Sequence, residues 1–195
     1  MVSAPLPSPT RLPKPLADEV RACFRLESAS LHDCPLLRRR TPEVERATAG
    51  SSPERVRDVV RFATESSGAR MAEALLLATR LVPHRAALGR VGEGPRFGAL
   101  GLRGQLCPHG IPTSAHDLAE LLRDAWGRPS ASWSGAADNL ERARELLAER
   151  KGVVFFDGIA GVEGWAHLDL WWDADVVGHA AWACHCVAFW QLFGI

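Results

Sequence analysis

The chain has no surplus of charge of either sign: among its 195 residues Lys plus Arg and Asp plus Glu each number 23. Without a net basic field nothing gathers a polyanion, so neither nucleic acid nor an anionic membrane is an expected partner. The first twenty residues, MVSAPLPSPTRLPKPLADEV, lack a continuous apolar run of signal-peptide length, and Sec export is not expected. The most apolar stretch, Val176 to Ile195, is interrupted by His179, His185 and Gln191, which predicts buried strands rather than a membrane span. The five cysteines, Cys23, Cys34, Cys107, Cys184 and Cys186, lack the repeated spacing of a disulfide framework and leave the redox compartment open. There is no C-x-x-C pair. Cys184-His185-Cys186 with Cys107-Pro108-His109 would splay adjacent zinc ligands to opposite faces of a strand, so no metal is expected.

What is present divides by texture. Residues 1–15 carry five of the thirteen prolines and read as a flexible arm ahead of a single domain over 16–195. LADEVRACFRLE has helical apolar spacing, and Ser28 to Ser52 shows no period. Ser52-Pro53-Glu54 combines a cap, a first-turn proline and an acid at the positive end of the dipole, which predicts a helix to about Glu65. A second helix is expected from near Ser66, Ser67 and Gly68 to before Pro83, because Ala69, Met71, Ala72, Leu75, Leu76 and Thr79 form one stripe. Pro83 to Pro112 reads as loops with a short strand around Phe97 to Leu102. SAHDLAELLRDAWG opens on a capping box, Ser114 with Asp117, and closes on glycine. A further helix, about Ala136 to Arg150, turns Leu140, Ala143, Leu146 and Leu147 to one side. After Lys151, GVVFFDG, WAHLDLWW and VVGHAAWACHCVAFWQLF predict an antiparallel sheet. Helices followed by strands argue for an α+β fold with segregated layers.

The informative chemical pattern is a small nucleophile at a helix start followed by histidines on a sheet. Ser67 and His167 are the expected pair: the helix N-terminus favours the anionic nucleophile, and a strand histidine can take its proton. Taken alone, Ser67 reads as a cap and His167 as a core histidine. His179, twelve residues after His167, is placed on a neighbouring strand across a tight turn at Asp173 to Asp175 and is expected to orient the ring. Asp175 and Asp173 are alternative orienters and His185 a weaker one, while Asp169 shares the face of His167 on a regular strand. Cys34, in HDCPLLRRR, is a competing nucleophile with a true thiol. The five tryptophans from Trp165 to Trp190 read as sheet packing, with Trp171 and Trp172 on opposite faces.

Ser67-Gly68-Ala69-Arg70-Met71 resembles the nucleophile segment of the fourth class of type VI secretion amidase effectors, where cysteine begins a helix and Arg-Met follows. HDLAELLRDAWGRPS is similar to that family's helix ending in Gly-Lys/Arg-Pro, KGVVFF to its Lys-Gly-hydrophobic strand, GWAHLDLWW to its Gly-His-x-x-Leu-Trp strand, and CVAFWQLF to its closing strand. The resemblance covers roughly residues 50–195 in the family's order. It implies a papain-like (NlpC-like) fold and cofactor-free hydrolysis of the γ-D-glutamyl to meso-diaminopimelate amide in peptidoglycan stem peptides. Delivery by a type VI secretion apparatus, action in the periplasm of target bacteria and a cognate immunity protein are further implications. Ser67 stands where the family has its cysteine, and the family's cysteine pair flanking an aspartate is absent. A hydroxyl is a far weaker acid than a thiol of pKa about 8.5, so Ser67 favours, as the alternative, a silent homologue that binds wall or immunity protein.

Overall fold

The computed structural model describes residues 12–25, 67–79, 114–135, 137–161 and 164–194. Residues 1–11, the helix expected over 52–65, the loops of 83–112, Cys34 and Cys107 lie outside these. Three helices come first: α1 (Ala17–Arg25), α2 (Ser67–Ala78) and α3 (Ala115–Trp126). Then follow β1 (Ala131–Ser134), α4 (Asn139–Leu147), β2 (Gly152–Ile159), β3 (Ala166–Trp172), β4 (Asp175–Val176) and β5 (Cys184–Gln191). The five strands form one sheet in the order β1-β5-β2-β3-β4, with every pairing antiparallel. The fold is therefore α+β, as expected.

Alternation along the strands divides the interior into two cores. Val153 and Phe155 of β2, Leu168, Leu170 and Trp172 of β3, and Ala188 and Trp190 of β5 face α1, α2 and α3. Val154, Phe156, Trp171, Val187 and Phe189 point the other way, onto Trp133, Ala143 and Leu147. α1 buries Ala17, Val20 and Phe24, and α2 buries Met71, Ala72, Leu75 and Leu76. At about 1.5–3 kcal/mol for each large apolar side chain removed from water, these stripes hold the helices to the sheet. Trp171 and Trp172 fall on opposite faces, and both are buried.

α3 begins as its capping box requires, with Ser114 Oγ accepting the Asp117 N–H at 3.0 Å, and it closes on Gly127 at φ 84°. The turn after β3 is made by Asp173 and Ala174, both left-handed at φ 51° and 61°, which suits a two-residue hairpin. Gly152 opens β2 where an added Cβ would strike the Trp190 carbonyl and the Phe189 ring, so glycine lets β5 lie close.

Four expectations need correction. Leu12 to Pro15, assigned to the flexible arm, pack onto the fold: Leu12 is buried and its carbonyl accepts the Trp126 indole N–H at 3.1 Å. The line that α4 buries is Asn139, Ala143 and Leu147, while Leu146 is exposed, because a polar residue took the place the hydrophobic pattern gave to leucine. β4 has two residues, so His179 lies beyond it and on no strand. The layers are not wholly segregated, since α4 covers the sheet face opposite α1, α2 and α3.

Asn139 uses its whole amide. Its Oδ1 accepts the Trp133 indole N–H at 3.0 Å, and Nδ2 donates to the carbonyls of Trp182 and Cys184, each at 2.9 Å. Asn139→Ala strands these buried groups, and we expect a loss of about 3 kcal/mol in urea unfolding, against under about 1 kcal/mol for the exposed Leu146→Ala.

Candidate active site

α2 starts at Ser67, and the next residue fixes what that start touches. A Cβ on Gly68 would lie 2.7 Å from the Ser114 carbonyl oxygen and 2.9 Å from the Ala115 nitrogen, so glycine allows α2 to begin against the first turn of α3. Two helix N-termini thus meet, an arrangement whose dipoles favour an anion or oxyanion.

The second residue of α3 is His116. Its Nε2 lies 3.0 Å from Asp157 Oδ1, and the two side chains are 46% and 44% exposed. Asp157 extends the Val153-Phe155 face of β2, and Oδ1 also accepts the Gly158 N–H at 2.9 Å. The His116 ring meets Phe155 edge-on at 5.7 Å. A carboxylate only accepts, so with the shared proton on Nε2 the neutral ring presents Nδ1 as a base. The site is open to water on one side and backed by the first core.

His167 lies elsewhere. It pairs across the sheet with Phe156, stacks on that ring at 6.0 Å, and is buried on the face of the second core. α2 packs against the other face, through Leu168 and Leu170. By strand alternation His167 points to the face opposite the one that Leu168 and Leu170 give to α2. What stands beside His167 is Asp169, on the same face, with Oδ2 3.4 Å from Nε2. Its buried carboxylate accepts the N–H groups of Leu170 (2.7 Å), Gly178 (3.0 Å) and His179 (2.7 Å). His179 thus meets this cluster through its backbone N–H and Asp169, from a segment outside the sheet. Asp173 and Asp175 are exposed at the far end of the hairpin, where Asp175 pairs with Trp172. His185 is exposed on β5.

His116 and Asp157 come together although the sequence singles out neither, because the cap motif explains one and the end of an apolar strand the other. The available signal was parity: Asp157 follows Phe155 by two, and a histidine in a capped first turn sits at a helix mouth. Among the described residues no group of three or more His, Cys, Asp or Glu is placed to hold a metal, and no helix is long and apolar enough to cross a membrane.

No protein-family model matches the chain, and none of the curated proteins is detectably similar in sequence. Among solved structures, it is similar to the type VI effector Tae4 from Enterobacter cloacae, with a TM-score of 0.53 and 12% identity, covering 94% of this chain and 100% of that one. It is also similar to a chain of the type VI effector-immunity complex Tae4-Tai4 from Salmonella Typhimurium, with a TM-score of 0.52 and 11% identity, covering 92% and 99%. The α+β architecture is thus the papain-like, NlpC-like fold of these effectors.

Two outcomes test this geometry. Asp169→Asn keeps the shape but turns amide hydrogens toward backbone donors, and Gly178→Ala drives a Cβ into the carboxylate; each is expected to cost about 2 kcal/mol in urea unfolding. Burial pushes the Cys184 thiol up to about 11, with the neighbouring Cys186 and Asp157 adding to it. Iodoacetamide at pH 8 should leave Cys184 unmodified in the folded protein while labelling the half-buried Cys186. Because the folded thiol holds its proton more tightly than an unfolded one, its contribution to stability is full below about pH 9 and is lost as pH rises toward 11.

Proposed function

We propose that the protein is a peptidoglycan amidase of the type VI effector kind, with its nucleophile position at residue 67. The observation that carries this reading is the convergence of the α2 and α3 N-termini at Gly68, in a chain whose fold is that of Tae4 effectors. Amide hydrolysis needs a nucleophile, donors aimed at the developing oxyanion and a group that moves a proton. Converging helix starts supply the second, and position 67 is the first residue of α2.

The substrate we assign is the γ-D-glutamyl to meso-diaminopimelate amide of stem peptides, on the motif resemblance from Ser67-Gly68-Ala69-Arg70-Met71 to the closing strand. The same resemblance supports export by a type VI secretion apparatus and action in the periplasm of a target cell. The effector-immunity complexes among the similar structures support a cognate immunity protein as partner.

Ser67 favours a second reading, in which the cleft binds wall peptide or immunity protein without turnover. A serine has to be deprotonated at the moment of attack, whereas a thiol beside helix N-termini is already partly ionised near neutral pH.

Purified sacculi separate the readings. We expect Ser67→Cys to release muropeptide fragments on the order of 100-fold faster than the parent chain. Binding of sacculi by both forms with hydrolysis by neither would favour the silent homologue, and intact sacculi with no binding would remove the wall from consideration.

A further inference from the structure

We infer that Asp169 is the positioning residue of His167, holding its ring with the proton on Nε2. The reaction in which that ring moves a proton rests on the amidase reading, whereas the pairing rests on geometry. The two residues stand two apart on β3, so strand alternation gives their side chains one face. Oδ2 of Asp169 lies 3.4 Å from Nε2, and the two side chains are only 4% and 2% exposed. Water is thereby kept from screening the pair, and the carboxylate acts strongly on the proton it faces.

The carboxylate is itself held in place. Oδ1 accepts the N–H groups of Leu170 and Gly178, and Oδ2 accepts that of His179. A carboxylate has about four acceptor sites, so three backbone donors leave one, and it is on the oxygen beside Nε2. Glycine at 178 makes room for this, because a Cβ there would strike Oδ2. The segment after β4 is thus shaped around the side chain of a residue inside β3. One face of the His167 ring stacks on Phe156 at 6.0 Å, and Phe156 is in turn braced edge-on by Trp182 at 4.8 Å. Phe156 therefore sets the plane of the imidazole and Asp169 the direction of Nε2.

An acceptor facing Nε2 keeps the ring proton there and leaves the lone pair on Nδ1. In amide hydrolysis Nδ1 takes the nucleophile's proton as the nucleophile bonds to the amide carbon. That proton passes to the amide nitrogen as the C–N bond breaks and the amine leaves. Water next gives a proton to Nδ1 while its oxygen bonds to the acyl carbon. The acyl–enzyme bond breaks, the proton returns to the nucleophile, and a carboxylic acid is released. The imidazolium formed in each half is stabilised by the charge of Asp169, which takes no proton itself.

The tautomer can be read without any substrate. Long-range proton–nitrogen NMR spectra of the isotope-labelled full chain separate a ring protonated on Nε2 from one protonated on Nδ1, with His167→Gln assigning the signal. We expect the parent ring to carry its proton on Nε2. In Asp169→Asn the amide oxygen is drawn to the two donors on the Oδ1 side and the NH2 group faces Nε2, so the proton is expected on Nδ1. Leu122→Ala, destabilised from the core on the opposite sheet face, is expected to keep the parent tautomer. A parent ring protonated on Nδ1 overturns the inference, whether or not Asp169→Asn folds. An unchanged tautomer in folded Asp169→Asn overturns it as well. On sacculi, with Ser67→Cys as the background, Asp169→Asn should lower fragment release at least about 100-fold while Leu122→Ala retains it. Equal release by Asp169→Asn and its background overturns the positioning role and leaves the amidase reading standing. The expected tautomers with intact sacculi in every form support the pair while rejecting the wall substrate.

Discussion

Everything in this molecule is sorted by the two-residue alternation of the central strand β2. It pairs with β5 on one side and β3 on the other, so the direction of each β2 side chain fixes that of its neighbours. Phe155 and Asp157 point toward the three N-terminal helices, while Phe156 carries His167 with it to the opposite face. A slip of one residue in either pairing would exchange the two cores and take Asp157 away from His116. The two cores therefore protect the register, and the register determines which polar residues meet at the helix starts.

Two carboxylates illustrate how burial divides labour. Asp169 is sealed in, and three backbone N–H groups satisfy it, tying β3 to the segment after the hairpin. Asp157 keeps nearly half its surface in water and holds a ring that is equally exposed. The first arrangement suits a clamp, because a sealed and fully satisfied group has little freedom to exchange partners or protons with solvent. The second leaves its pair in contact with water.

Much of the fold was legible in the sequence. The capping box at Ser114, the apolar stripe of α2 and the Val/Phe/Trp-rich strands are local signals whose physics acts within a few residues, and each appears where expected. β1 was not anticipated: ASWS is short and mostly polar, and it becomes a strand only because the edge of β5 is available to pair with it. The place of Asn139 was equally hidden, since its value lies in carbonyls more than forty residues away. The side-chain direction of His167 follows from strand parity, but which sheet face α2 covers does not. That is a tertiary fact without a local signature. Spacing placed His179 on a facing strand, whereas the hairpin spends only two residues on β4 before the chain leaves the sheet.

The order of the strands carries a further consequence. β5 is the last of them along the chain, yet it lies between β1 and β2. During synthesis, or during any vectorial passage of the chain, β1 and β2 therefore have open edges until the final strand arrives. The sheet closes by insertion rather than by growth from one side. Such late, long-range closure makes folding slow and leaves apolar edges unprotected meanwhile, so the unfinished chain has most need of a chaperone's shelter just before its last strand emerges.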